Sequence, residues 1–267
     1  MPVQGEFFQN PGGASGFYDY TIEQSCRFSY DESTHMTRTP SSTGNRRTFT
    51  FSTWIKIVEE ANNSFFGVYL NSSTEAALKT GEGTHSGKLQ IYNYSGSFNM
   101  NVQTNSRFRD TSSWYNFVFR IDTTQSTAND RVRMYVNGTL NDNTDNSVNT
   151  QPSQDFDTFF NTSGNPNYVG WYGNSATNRL NGYMAETILV DGYSYDASYF
   201  GTTKNNIWIP VDYHNTTGNY GTNGFRLTYS NASSLGADSS GNGNDFTTSG
   251  ISADNQVLDS PTNAAGS

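Results

Sequence analysis

The stretch from Ser113 to Leu140 limits what this chain can fold into more than any other. Trp114, Asn116, Val118, Arg120 and Asp122 alternate with Tyr115, Phe117, Phe119 and Ile121. That is the period of two expected of a strand with one buried face. Residues 123–130 are Thr, Gln, Ser, Ala, Asn and Asp, too polar to hold a core. Val132, Met134 and Val136 then resume the alternation against Arg131, Arg133 and Tyr135. Asn137-Gly138 supplies the positive-φ residues of a tight hairpin turn. Two long strands closed by Asn-Gly predict an antiparallel sheet, with Trp114, Phe117, Phe119, Met134, Val136 and Ile188 near the core. Alternation sets Trp114 opposite Phe117, so the sheet edge is its other expected place.

Composition agrees with an all-β reading. A chain of 267 residues can bury one sizeable core. Aromatic residues make up 15% of it, which is too many for a disordered chain, although the net charge of −9 leans that way. Such a chain fills its core with Phe, Tyr and Trp and places Gly, Asn, Ser and Thr in turns. The short run Ser73-Thr-Glu-Ala-Ala-Leu-Lys79 is the one helical candidate, two turns at most.

Three motifs besides the hairpin bear on family. Phe49-Thr-Phe-Ser-Thr-Trp-Ile-Lys-Ile reads as an early strand with Phe49, Phe51 and Ile55 inward. Tyr168-Val-Gly-Trp171 precedes Leu180-Asn-Gly-Tyr-Met-Ala-Glu-Thr-Ile-Leu-Val-Asp-Gly192. With Trp114, Val118, Asp122, Val132 and Tyr135-Val-Asn-Gly138, they resemble the laminin-G-like, or concanavalin-A-like, jelly roll over residues 20–200. Glu186 stands where that family has an acidic residue. The resemblance implies an antiparallel β-sandwich of two sheets. Residues 1–20 then read as an extended aromatic arm, 21–200 as the jelly roll, and 201–267 as closing strands with a polar tail. That tail could also lead into a further unit, but closure of the sheet is the preferred reading.

The charge balance argues against a polyanionic partner. Fifteen Lys and Arg without a basic stripe give no footprint for nucleic acid or an anionic membrane. No apolar run reaches the roughly 20 residues needed to span a bilayer, and the N-terminus lacks the pattern of a secretory signal. Cys26 is the single cysteine, so no intrachain disulfide can form. Sequons at Asn71, Asn137, Asn161 and Asn231 follow from composition.

Catalysis is not expected. Retaining hydrolases of this architecture space two carboxylates as E-x-D-x-x-E, to hold acid and nucleophile about 5–5.5 Å apart. Glu59-Glu60 and the Glu186/Asp191 pair do not match that spacing. His35, His85 and His214 are isolated in polar sequence and form no lyase motif. No nucleophile elbow, phosphate loop or Cys/His metal cluster is present.

Binding remains. Sandwich lectins set a flat aromatic beside loop amides that hydrogen-bond sugar hydroxyls, and Trp171, Tyr172, Asn174 and Asn178 offer that set, as do Tyr92 and Tyr94. Each of Trp171 and Tyr172 alone fits core or hairpin packing better. No cofactor is required by the sequence; by family analogy alone Ca²⁺ is a candidate one, with Asp191 and Asp122 as candidate ligands and Asp196 and Asp130 as further candidates. Asp238, Asn242, Asn244 and Asp245 are oxygen-rich but lack the closing Glu of a calcium loop, so a run of Asx turns is preferred.

The Asp238-Ser-Ser-Gly-Asn-Gly-Asn-Asp-Phe tail and the composition look like virion structural proteins of tailed bacteriophages from marine hosts. Such proteins carry laminin-G-like modules in tail fibres, appendages or head decorations. This resemblance implies a non-catalytic structural or adhesive module on the surface of an extracellular particle. It would work as a homo-oligomer with other virion proteins, and bind host-surface glycan weakly and multivalently. Phe7, Phe8, Phe17 and Tyr18 of the arm would then serve assembly. A free or cell-surface glycan-binding protein is the alternative, and a glycoside hydrolase or polysaccharide lyase a more distant one.

Overall fold

The computed structural model describes residues 16–60, 62–81, 84, 86–141, 148–173 and 178–263. The strands run β1 (Ser25–Phe28), β2 (His35–Arg38), β3 (Thr48–Ile57), β4 (Ser64–Asn71), β5 (Thr74–Thr80) and β6 (Lys88–Tyr94). Next come β7 (Phe98–Arg107), β8 (Tyr115–Asp122), β9 (Val132–Val136), β10 (Thr139–Asn141), β11 (Asn149–Thr150) and β12 (Asn167–Val169). The last are β13 (Gly182–Asp191), β14 (Gly201–Lys204), β15 (Ile207–Pro210), β16 (Phe225–Leu227), β17 (Thr247–Ser249) and β18 (Gln256–Val257). One helical turn, α1 (Tyr213–Thr216), is capped by Asp212, which accepts the Asn215 N–H at 3.1 Å.

Two antiparallel sheets form a sandwich. The first has the order β10-β9-β8-β3-β13-β1-β18, with β16 also pairing β13, and the second has the order β11-β7-β6-β5-β4-β12-β2-β17. The sequence hairpin closes as expected: Asn137 and Gly138 take φ of 47° and 78°, and Val136 pairs Thr139. The strands at the chain's end join both sheets, β17 beside β2 and β18 beside β1.

Alternation sends Phe49, Phe51 and Ile55 of β3 and Phe117 and Phe119 of β8 into the space between the sheets. There Phe66 of β4 stacks on Phe51 at 5.2 Å and on Phe160 at 5.6 Å. Phe66→Ala should therefore cost about 3–5 kcal/mol, since a ring-sized cavity between two rigid sheets cannot collapse. Urea denaturation measures it.

Three expectations change. Ser73–Lys79 is not helical: Thr74–Thr80 pairs β4 on one side and β6 on the other, and this pairing overrides the helix propensity of Ala-Ala-Leu-Lys. Ile188 faces away from the main core, because β13 carries a bulge between Ala185 and Ile188 with Glu186 at φ 46°. The extra residue reverses the alternation, so Met184 and Leu189 both point inward. Trp114 packs on the outer face of the first sheet with Trp54 and Ile22, and its Nε1 donates to Asp259 at 3.0 Å.

That outer face is covered. Residues 193–220 fold over it, packing Ala197, Phe200, Tyr213 and Tyr220 on Val118, Tyr135, Ile188 and Val190. Trp208 of β15 adds to this layer, and its Nε1 donates to Asn116 at 3.1 Å. Among the described residues, the apolar cluster on the outer face of the second sheet is a small one, Ala77, Tyr92 and Tyr172 with Tyr94 against it.

Candidate functional site

On the second sheet, Ala76 and Leu78 of β5, Leu89 and Ile91 of β6, and Met100 and Val102 of β7 point inward. Their neighbours must point out. The register sets Ala77 beside Tyr92 and Tyr92 beside Asn101, Lys79 beside Gln90, and Glu75 beside Tyr94. Gly67 of β4 lies opposite Ala77, so two small residues leave a trough in the face.

Tyr172 fills one end of that trough. A Cβ on Gly67 would fall 2.1 Å from the Tyr172 Cβ, so only glycine admits the ring's backbone so close. The Tyr172 hydroxyl accepts from Asn178 Nδ2, and Asn178 Oδ1 accepts in turn from Asn62 Nδ2. Tyr92 meets Tyr172 edge-on at 6.2 Å and donates its hydroxyl to Glu75 Oε1 at 3.2 Å. Burial, foremost, with the neighbouring Tyr172 and Glu75, pushes the Tyr92 phenol far up, so it remains a neutral donor. The Lys79 ammonium lies 5.8 Å and 5.7 Å from the Tyr92 and Tyr172 ring centres. Phe98, 48% exposed, forms the rim and meets Tyr92 at 5.8 Å and Tyr94 at 5.1 Å.

The result is an open cavity of about 410 Å³ lined by Ser72, Glu75, Lys79, Gln90, Tyr92, Tyr94, Phe98 and Tyr172. Aromatic rings line it together with the Gln90 amide, the Ser72 hydroxyl, the Glu75 carboxylate and the Lys79 ammonium, which suits a polar ligand with apolar faces. A larger depression, about 600 Å³, lies between β2 and residues 243–245, but no aromatic residue lines it. The Arg38 guanidinium at its floor already donates to Asn223 and Asn244.

Gly67→Ala tests the support of the pocket. It should push Tyr172 off the sheet and lower stability by about 1–3 kcal/mol, the usual cost of overpacking. Loss of Tyr172 contacts in a crystal structure of the variant, with the β4–β5 pairing intact, is the expected result.

The sequence candidates are thus divided by the fold. Tyr92, Tyr94 and Tyr172 meet in one pocket. Asn178 is buried and supports Tyr172. Asn174, Phe7, Phe8 and His85 lie outside the described residues. Trp171 does not line that pocket and packs on His35 and Tyr168. Phe17 and Tyr18 pack edge-on at 5.1 Å, and Lys204 of the same chain lies over Phe17. Glu75 and Lys79 escaped sequence reasoning because their strand was read as a helix, and Gln90 and Phe98 carry no local signal that singles them out. A period-two reading of residues 74–80 would have set Glu75, Ala77 and Lys79 on one face.

The carboxylates named for Ca²⁺ are already used by the protein. Asp191 Oδ1 accepts from Asn45 N at 2.7 Å and Asn161 Nδ2 at 3.3 Å, and Oδ2 accepts from Asn223 N at 2.9 Å. Burial pushes its carboxyl up, against the pull of the Asn223 and Asn45 N–H groups. Asp122 accepts from Thr124 and Gln125; burial opposes its charge, but these bonds and Arg120 prevail and hold it below the usual range. Asp196 caps Ser198 at 2.9 Å, and Asp130 pairs with Arg133. Asp238 Oδ1 and Oδ2 accept from backbone N–H groups of Arg226, Ser240 and Asn244, an Asx-turn knot. Among the described residues no three His, Cys, Asp or Glu gather as metal ligands. N–H protons directed at these oxygens do not fit a resident cation.

A family model for the concanavalin A-like lectin/glucanases superfamily, of the laminin G type, matches residues 31–192. The chain belongs to this superfamily. Those residues run from the β1–β2 turn to the end of β13, and the C-terminal strands complete the same two sheets. Among solved structures, the concanavalin A-like fold seen here is similar to a Bacteroides ovatus protein designated carbohydrate binding. The TM-score is 0.60 at 18% identity, over 90% of this chain and 60% of that one. This chain therefore spans less than two thirds of that protein. A heptameric pentraxin of Limulus polyphemus aligns with a TM-score of 0.46 at 12% identity, over 66% of this chain and 79% of that one. Mouse laminin alpha1 domains LG4-5 align with a TM-score of 0.46 at 13% identity, over 67% of this chain and 44% of that one. No curated protein sequence matches.

Proposed function

We propose that the chain is a non-catalytic glycan-binding module that holds a sugar in the tyrosine pocket of its second sheet. The observation that carries this is the cavity around Tyr92, Tyr172 and Phe98 on the outer face of the second sheet. Sugar C–H faces pack on aromatic rings, and their hydroxyls suit Gln90, Glu75 and Lys79. One carboxylate, Glu75, lines the cavity, where glycoside hydrolysis uses a pair. The Bacteroides ovatus similarity supports the reading through its designation alone.

The setting we favour is the surface of a virion, as a structural or adhesive module of a tail fibre, appendage or head decoration. Its acidic surface, rich in Ser, Thr, Asn and Gly, and its Asp238–Phe246 tail support that setting. There it would act as a homo-oligomer with other virion proteins. A free or cell-surface lectin is the rival setting, and a strict monomer without particle association would favour it.

An open pocket of this size should bind one sugar in the millimolar range, about −4 kcal/mol. Several copies on one particle would raise avidity by about 10²–10⁴. Tyr92→Ala should abolish binding on a glycan array probed with the oligomer, while Trp171→Ala leaves the pocket's sugar contact in place. Wild-type protein that binds no glycan, or binding unchanged in Tyr92→Ala, would overturn the reading.

A further inference from the structure

The same sheet face holds a second cluster, beyond the tyrosine pocket. Trp171 meets His35 of β2 edge-on at 4.7 Å and Tyr168 of β12 at 5.2 Å. The Arg179 guanidinium lies 4.7 Å from the centre of the Trp171 ring. Its Nε is buried without a hydrogen-bond partner, and among the described residues Arg179 forms no ion pair. Every other arginine of the chain donates to a protein oxygen. Arg179 is the exception, and its place beside the pocket gives the exception meaning.

A guanidinium stacked on an indole uses its flat face for the ring and keeps its N–H groups for acceptors lying in its plane. Planar carboxylates and the oxygens of sulfate are the acceptors that geometry matches. His35 stands at the edge of the cluster, and burial, with the Arg179 charge adding to it, keeps its imidazole neutral against the pull of the Ser33 carbonyl. The site therefore holds one fixed positive charge. Between Tyr92 on β6 and His35 on β2 lie β5, β4 and β12. Four strand spacings make about 19 Å, the reach of a short oligosaccharide. The chain's net charge of −9 opposes a densely charged polymer but little affects a single anionic group, since charges beyond about 8 Å are screened.

We propose that Arg179, stacked on Trp171, receives a single carboxylate or sulfate carried by the oligosaccharide whose neutral part occupies the tyrosine pocket. This rests on the glycan-binding reading above. An array of matched glycans tests it, each backbone presented as its neutral, singly carboxylated and singly sulfated form. Wild-type protein should prefer an anionic form by roughly tenfold, the scale of one charge-assisted contact. Comparing the carboxylated and sulfated arms identifies which anion is meant. Arg179→Gln should bind the neutral backbone as before and lose the preference, with Arg179→Lys recovering part of it. A wild-type preference for neutral glycans, or an anionic preference that survives Arg179→Gln, overturns this proposal and leaves the pocket reading standing. Absence of binding to every form overturns both.

Discussion

Replacing Arg226 with methionine is expected to destabilise the fold by about 3–5 kcal/mol, the cost of leaving a buried charge alone. Arg226 Nε donates to Glu186 Oε1 at 2.6 Å, and its NH2 donates to the Tyr20 hydroxyl at 2.7 Å. Tyr20 donates to Glu186 Oε2 at 3.1 Å, closing a triad beneath the layer that covers the first sheet. Burial pushes the Glu186 carboxyl up, against the pull of the Arg226 guanidinium and the Tyr20 hydroxyl. Burial likewise opposes the charge on Arg226, and the adjacent carboxylate outweighs it and pushes the guanidinium above its usual range. Without Arg226 the carboxylate keeps its desolvation and loses its counter-charge. Replacing both Arg226 and Glu186 with methionine should recover much of the loss, since apolar side chains of similar volume often substitute for a buried pair without penalty. Urea denaturation of the single and double variants separates the two outcomes. Equal destabilisation in both would mean that the triad acts through packing and not through charge.

The triad also marks the limit of what could be read from the sequence. β8, β9 and their Asn137-Gly138 turn are legible because alternation and turn chemistry are local. So are Phe49, Phe51 and Ile55, which follow one another at even spacing in β3. Glu186 is legible as an acidic residue at a family position, but its partners are not. The bulge that turns it outward leaves no trace in the composition of β13, and Tyr20 and Arg226 arrive from the two ends of the chain. The same bulge reverses Ile188. The tyrosine pocket is half legible in the same sense. Tyr92, Tyr94 and Tyr172 each stand out, but their meeting depends on β12 pairing β4 and on Gly67 admitting Tyr172. Glu75 and Lys79 were hidden because Ala-Ala-Leu-Lys favours a helix when taken alone, and two flanking strands decide otherwise.

Asp191→Ala should be the second large loss, about 3–9 kcal/mol, because three donors would lose their acceptor at roughly 1–3 kcal/mol each. The carboxylate ties the Asn45 and Asn223 N–H groups and the Asn161 side chain to the end of β13. It thereby joins three loops at one corner of the sandwich. Asp191→Asn tests the geometry more sharply. Donors approach both carboxylate oxygens, so a carboxamide must turn its NH2 toward one of them whichever way it flips. Asn should therefore be nearly as damaging as Ala, although it is isosteric. A calcium ligand would behave differently. Its loss would matter when metal is bound and little otherwise, and chelation of the wild-type protein would mimic the substitution. Thermal melts of the wild type with and without EDTA, beside both variants, distinguish the two accounts. The expected result is a wild-type melting temperature indifferent to EDTA and two variants that are unstable in either buffer. A melting temperature that falls on chelation to the level of Asp191→Ala would return this carboxylate to the metal.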